Sequence, residues 1–206
     1  MLSIHNSVLA ILIFTLFTSA QTVIVPSNPS IPVPRMETGL VNGRMYKNSS
    51  IGVELTAADG LAFGTPELKG TPGTVPLLVT ITALRNETLF SPKYVMAFYA
   101  DALVYYPEGQ RSTDAYMRKV IRCNRQTGYE VVQENLNVSF GGVSFARTDF
   151  HGASYEAVLV KSCDAQAFVF IFSSSSKDTV DKLIGQTDLK LEPVHSGCHF
   201  ADAVSK

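Results

Sequence analysis

Tyr129-Glu-Val-Val-Gln-Glu-Asn-Leu-Asn-Val-Ser-Phe140 runs into Gly141-Gly142 and then Val143-Ser-Phe-Ala-Arg-Thr-Asp-Phe150. Tyr155-Glu-Ala-Val-Leu-Val-Lys161 and Gln166-Ala-Phe-Val-Phe-Ile-Phe172 follow, after the breaks His151-Gly-Ala-Ser154 and Ser162-Cys-Asp-Ala165. These are apolar and β-branched or aromatic runs separated by turn residues, the pattern of consecutive strands. Gly-Gly accepts positive φ at both turn positions and so suits a tight hairpin. In the second run the period of two places Val143 and Phe145 on one face, with Arg147 and Asp149 beside them. A four-strand antiparallel meander is the expectation.

Working outward, Ser112 is the N-cap of a helix over Thr113–Asn124, with Tyr116, Met117, Val120 and Ile121 on one stripe. Asp114 in the first turn and Arg122 and Arg125 at the end agree with the helix dipole, and Gly128 stops it. A second helix begins at Ser175 or Ser176, buries Val180, Leu183 and Ile184 and ends at Gly185; Asp188–Pro193 is a short final strand. Toward the N-terminus, Arg44–Asn48 and Ile51–Leu55 read as a first hairpin and Leu77–Leu84 as a buried central strand. Tyr94–Tyr106 reads as a helical turn followed by a strand from about Ala100. Between them Ala57–Pro76, punctuated by Gly60, Gly64, Pro66, Gly70, Pro72, Gly73 and Pro76, reads as a long surface loop, dispensable for folding even if Phe63–Thr74 were replaced by a linker.

The chain has 206 residues, 46% of them hydrophobic, which suits one domain with appendages. A net charge of -1 with no basic run longer than Arg118-Lys119 disfavours nucleic acid as a partner. Residues 1–20 carry the apolar run Val8–Phe17 followed by Thr18-Ser19-Ala20, the form of a secretory signal peptide cleaved after Ala20. The segment lacks Lys and Arg near its start, which leaves an uncleaved anchor as the other reading. The apolar run is well short of the about 20 residues a membrane span needs. Residues 21–43, with Pro26, Pro29, Pro32 and Pro34, read as an extended linker, 44–193 as the folded domain and 194–206 as a tail. A secreted or periplasmic location follows, with no stable membrane insertion after cleavage.

No motif for catalysis survives its context. Gly142-Val-Ser-Phe-Ala146 approaches a nucleophile elbow, but Ser144 falls in a hairpin strand where that motif needs a strand-to-helix turn. His151 near Asp149 has no nucleophile beside it. His195-Ser-Gly-Cys-His199 offers zinc-type donors, but four ligands are required, and although Cys123 could add one, a polar tail explains the same residues without a metal. Asn48, Asn86 and Asn137 head N-glycosylation sequons. The sequence therefore points to no catalytic residue, no cofactor and no metal.

From the helix Ser112–Asn124 through Gly128-Tyr-Glu-Val-Val132, the Val138–Phe150 hairpin, Tyr155–Val160, Ala167–Ser176 and the closing helix and strand to Leu191, the chain resembles the PsbP/Mog1-type superfamily. Tyr46–Leu55 resembles its opening strands. The resemblance implies an α+β fold, an α/β/α sandwich with a central antiparallel sheet covered by helices, and no shared active site. Members act mostly by binding proteins, one branch photosystem II and another a small GTPase, and many bacterial members have no assigned role. The first expectation is thus a non-enzymatic secreted or periplasmic accessory domain with a protein partner of unknown identity. A small-molecule or lipid-binding protein using a cleft between the Gly/Pro loop and the sheet is the alternative, and a hydrolase is a more distant one.

Three cysteines, an odd number, leave at least one unpaired in a monomer. If the chain alternates between the two ends of the sheet, Cys123 and the tail share one end and Cys163 lies at the other. From Pro193 the chain spans roughly 17 Å to Cys198, so a Cys123–Cys198 disulfide worth about 4 kcal/mol is expected, with Cys163 free. For the export signal, intact-mass analysis of native protein is expected to show an N-terminus at Gln21 or within a few residues of it. Retention of Met1 would contradict the reading.

Overall fold

The computed structural model describes residues 37–69, 78–84, 94–163 and 166–192. The signal-like segment, the Pro-rich stretch before residue 37, Asn86 and the tail 194–206 lie outside the described residues. Three short strands open the fold: β1 (Leu40–Asn42), β2 (Met45–Asn48) and β3 (Val53–Thr56). β1 falls inside the stretch expected as linker, because residues just before it are tied to the domain. Asn48 Nδ2 donates to the Glu37 carbonyl at 2.6 Å, and Tyr46 Oη donates to that of Thr38 at 3.1 Å.

The chain continues as β4 (Ala62–Phe63), β5 (Glu67–Lys69), β6 (Leu78–Leu84) and β7 (Tyr94–Ala102). A 3-10 turn at Leu103–Tyr105 follows β7, the reverse of the expected order of turn and strand. Pairing explains it. β7 is hydrogen-bonded along its length to neighbours on both sides and is buried on both faces, so alternation is absent from its sequence. After helix α1 (Thr113–Gln126) comes the expected meander, β8 (Glu130–Phe140), β9 (Val143–His151), β10 (Tyr155–Cys163) and β11 (Gln166–Ser174). Helix α2 (Lys177–Gln186) and β12 (Asp188–Leu191) complete the described chain.

The strands form two antiparallel sheets. The larger has eight strands in the order β4-β6-β7-β11-β10-β9-β8, with β5 also paired to β6. The smaller has the order β1-β2-β3-β12. α1 packs on one face of the large sheet, its Tyr116, Met117, Val120 and Ile121 meeting Tyr99, Val158, Val160 and Val169. The small sheet and α2 share the other face, where Tyr46, Leu55, Val180, Leu183 and Leu189 meet Phe98, Phe145, Phe168, Phe170 and Phe172. The result is an α+β fold of two antiparallel sheets flanked by two helices, consistent with an α/β/α sandwich. Both helix starts are capped as their sequences ask: Ser112 Oγ accepts from the Ala115 amide and Ser176 Oγ from that of Thr179.

Gly141 and Gly142 take φ of 60° and 76° at the hairpin tip. Gly141 has a second reason to be glycine that the hairpin pattern does not contain: a Cβ there would lie 2.3 Å from the Leu189 carbonyl oxygen. β12 thus crosses the Gly141 end of the large sheet, on the face away from α1. This crossing corrects the cysteine expectation. Cys123, on α1, is a free thiol, whereas Cys163 packs against the core cluster on the β12 side and is disulfide-bonded. Cys198 lies outside the described residues. The expected roles of Cys123 and Cys163 are thus reversed: β12 crosses the Gly141 end of the sheet, where Cys163 also lies, and α1 with Cys123 stands on the opposite face.

The Gly/Pro segment also departs from expectation in its first part. Ala57, Ala58, Leu61 and Phe63 are buried in the main core, and β4 extends the large sheet. Phe63 meets the Tyr46 ring edge-on at 6.3 Å between centroids. Replacement of Phe63–Thr74 by a linker would therefore remove core. Phe63→Ala is expected to destabilise by about 3 kcal/mol, and Leu68→Ser, at an exposed position, by less than about 0.5 kcal/mol. Urea unfolding checks both, and equal midpoints would show that Phe63 is not a core residue.

Candidate functional site

Strands buried on both faces offer a charged side chain no access to water, so each carboxylate among them needs an internal partner. Three such carboxylates mark the polar sites of this fold: Asp149 on the small-sheet side, and Asp101 and Glu156 on the α1 side.

Arg147 and Asp149 stand two apart on β9 and share a face, as their spacing requires. The guanidinium donates from Nε to Asp149 Oδ1 at 2.6 Å and from Nη2 to Oδ2 at 3.1 Å. Nη2 also reaches Asp181 Oδ1 on α2 at 2.6 Å, and Lys177 holds the other Asp181 oxygen at 2.5 Å. Tyr155 Oη donates to Asp149 Oδ2 at 2.8 Å. Burial opposes the charge on Asp181, but Lys177 and Arg147 outweigh it and hold its carboxyl below the usual range. The arrangement pins α2 to the sheet through a forked ion pair. The alternation of β9 alone brings the two side chains to one face, as expected from the sequence.

Asp101 lies on β7 beneath α1. Its Oδ2 accepts from both Tyr106 Oη and Tyr116 Oη, the latter at 2.8 Å. Lys119 Nζ donates to Tyr106 Oη at 2.7 Å and sits 4.3 Å above the centre of that ring. Asp101 Oδ1 has no side-chain partner among the described residues. Burial raises the Asp101 carboxyl above its ordinary range, Lys119 and the two phenols offsetting this only in part; burial likewise lowers Lys119. The group latches α1 onto β7. The sequence reading missed it, although a single Asp inside the apolar run Tyr94–Tyr106 was the signal available.

Glu156 on β10 is 3% exposed and faces Ser154, Ser173 and Tyr129. Ser154 Oγ is 3.5 Å from Glu156 Oε1, Ser173 Oγ donates to Ser154 Oγ at 2.9 Å, and Tyr129 Oη is 3.1 Å from Ser154 Oγ. Burial raises the Glu156 carboxyl to about 7 despite the three hydroxyls.

The residues singled out from sequence are not brought together. Ser144 is exposed and pairs with Ser139 across the β8–β9 ladder. His151 is exposed at the end of β9, opposite Tyr155 and Glu130. His195, Cys198 and His199 lie outside the described residues. Asn48 heads a sequon but is buried, its amide donating to Glu37 and Tyr46 and its Oδ1 accepting from Ser50, so its nitrogen is engaged in the fold. Asn137, on edge strand β8, is exposed.

No family model and no curated protein matches the chain. Among solved structures it is similar to the solution structure of cyanobacterial PsbP (CyanoP) from Synechocystis sp. PCC 6803, at 12% identity and a TM-score of 0.46, over 74% of this chain and 95% of that one.

Arg147→Met strands Asp149 without its counter-ion in a buried site and is expected to cost about 3–5 kcal/mol. Combining it with Asp149→Leu is expected to restore a large part of that loss, since an apolar pair needs no counter-ion. Equilibrium unfolding of the single and double variants measures both. A single variant within about 1 kcal/mol of wild type would mean that the pair is solvated and pins nothing.

Proposed function

We propose that the chain is an exported, non-enzymatic accessory domain that works by binding another protein, through the outer face of α1. The observation that carries this reading is the division of α1 into two unlike sides. Its inner side is latched to the sheet by Tyr116, Lys119 and the Asp101 carboxylate, which fixes the helix in place. Its outer side holds Arg118 and Arg122 exposed one turn apart, with Arg125 next in the row and paired to Glu134 of the exposed edge strand β8 at 3.2 Å. A rigid helix bearing a row of guanidinium groups suits an acidic protein surface, since arginine is favoured at interfaces and pairs with carboxylates by two hydrogen bonds. The net charge of -1 leaves this row as a local feature without a global field, which argues for a shaped partner over nucleic acid.

The sequence resemblance to domains that act by binding proteins points the same way, and the signal-like N-terminus supplies the secreted or periplasmic setting. The alternative of a ligand cleft between the Gly/Pro segment and the sheet loses support at residues 57–63, whose apolar side chains fill the space against Tyr46 and Phe98. The hydrolase reading loses support because Asp149 and Asp101 are engaged in holding helices and Ser144 faces another serine.

The test is affinity capture from native envelope with the mature chain as bait, after crosslinking, in parallel with Arg118→Glu/Arg122→Glu. A partner retained by wild type and lost from the charge-reversed variant is the expected result. Equal capture by both would overturn the assignment to α1.

A further inference from the structure

Glu156 is placed where a carboxylate that only filled a structural role would be a poor choice. It lies on β10 with Val158 and Val160 toward α1, is 3% exposed, and its Oε2 has no hydrogen-bond partner among the described residues. A buried carboxylate oxygen left unpaired is costly in an apolar setting, more so than a neutral polar group. Replacing it by an apolar residue of similar size would remove that cost, so the oxygen calls for a reason.

Its surroundings supply one. Three hydroxyl oxygens converge on the carboxylate from three segments: Ser154 from the turn before β10, Ser173 from the facing register position on β11, and Tyr129 from the residue just before β8. Gly152 lets the phenol lie close, since a Cβ there would stand 3.0 Å from the Tyr129 ring. The hydroxyl hydrogens are committed within the cluster and none is directed to Oε2. Ser173 donates to Ser154, Ser154 donates to Glu156 Oε1 at 3.5 Å, and Tyr129 and Ser154 share a further hydrogen bond. What the group offers inward is therefore lone pairs, two carboxylate oxygens and three hydroxyl oxygens, with no nitrogen or sulfur donor. Ser154 and Ser173 are half-buried, which opens the cluster to solvent at this end of the sheet.

An oxygen-only donor set selects hard cations. A single carboxylate gives one negative charge, where divalent sites of this kind usually gather two or more acidic ligands. We propose that Glu156, Ser154, Ser173 and Tyr129 form a binding site for a monovalent hard cation, Na⁺ or K⁺. The ion would bridge β8, β10 and β11 at the end where α1 hands over to the sheet, and Oε2 would have its partner. Among the described residues Tyr129 is the titratable group facing Glu156; Arg147 and Asp149 stand on the opposite face, and His151 is exposed.

The test is thermal unfolding at pH 8.0, above the value of about 7 to which burial raises the Glu156 carboxyl. NaCl, KCl or choline chloride is supplied at equal ionic strength, choline being too large for the cluster. Na⁺ or K⁺ is expected to raise the Tm by about 4 °C over choline, since an ion that binds only the folded state stabilises it by mass action. Glu156→Gln keeps the shape, removes the charge and is expected to abolish the difference between salts. Ser173→Ala, which removes one ligand, is expected to weaken the ion's apparent affinity about tenfold. Identical Tm values in the three salts would overturn the proposal and leave water as the partner of Oε2, and a cation effect that persists in Glu156→Gln would place the ion elsewhere. Should Glu156→Gln fail to fold, the three-salt comparison on wild type and the Ser173→Ala titration decide the matter.

Discussion

The central hairpin β10–β11 is buried on both of its faces, and the rest of the molecule is arranged to make that tenable. Residues 155–160 and 166–172 are all shielded from solvent, even though neighbouring side chains point to opposite sides. A sheet with two apolar faces needs two covering layers. α1 supplies one, and the small sheet with α2 supplies the other. The small sheet is thus the lid over an aromatic cluster in which Phe98 stacks on Phe170 at 4.7 Å and Phe140 meets Phe170 edge-on at 5.1 Å. Its outward face is free to be polar, and there Glu54 lies between Lys47 and Lys190.

Double burial also dictates what the charged residues do. A carboxylate on these strands faces a dry layer whichever way it points, so it becomes an attachment for whatever covers that layer. Asp149 binds Arg147, which reaches α2; Asp101 takes two phenols, one of them on α1. In each case a central strand holds its helix by a directional contact, whereas apolar packing alone would let the helix slide or rotate. Glu156 stands apart because hydroxyls surround it and no cation or helix residue completes it among the described residues.

This arrangement gives α1 an unusual independence between its two sides. Its stripe of Tyr116, Met117, Val120 and Ile121, with Lys119 folded inward over the Tyr106 ring, sets its position. Arg118 and Arg122 on the outside carry no part of that attachment, so changes there should alter recognition without altering the fold.

The amino-acid sequence by itself determined the meander from Tyr129 onward, both helices with their serine caps, and the shared face of Arg147 and Asp149. These rest on local rules, namely the glycine turn, the period of two, the period of 3.6 and capping, and a local rule can be read one segment at a time. It did not determine the course of Tyr94–Tyr105, the burial of Ala57–Phe63 or the pairing of the cysteines. β7 lost its alternation because both of its faces are covered, and Phe63 is core only because β2 brings Tyr46 against it. Cys163 and Cys123 were separated by the face of the sheet on which each stands, a property of neither residue nor its neighbours. The same holds for Asp101 and Glu156, lone acids in apolar runs whose partners come from Tyr116 on α1 and Ser173 on β11. Only the packing of distant segments decides which charge meets which partner, because the cost of burying it is settled by the whole enclosure and not by the strand that carries it.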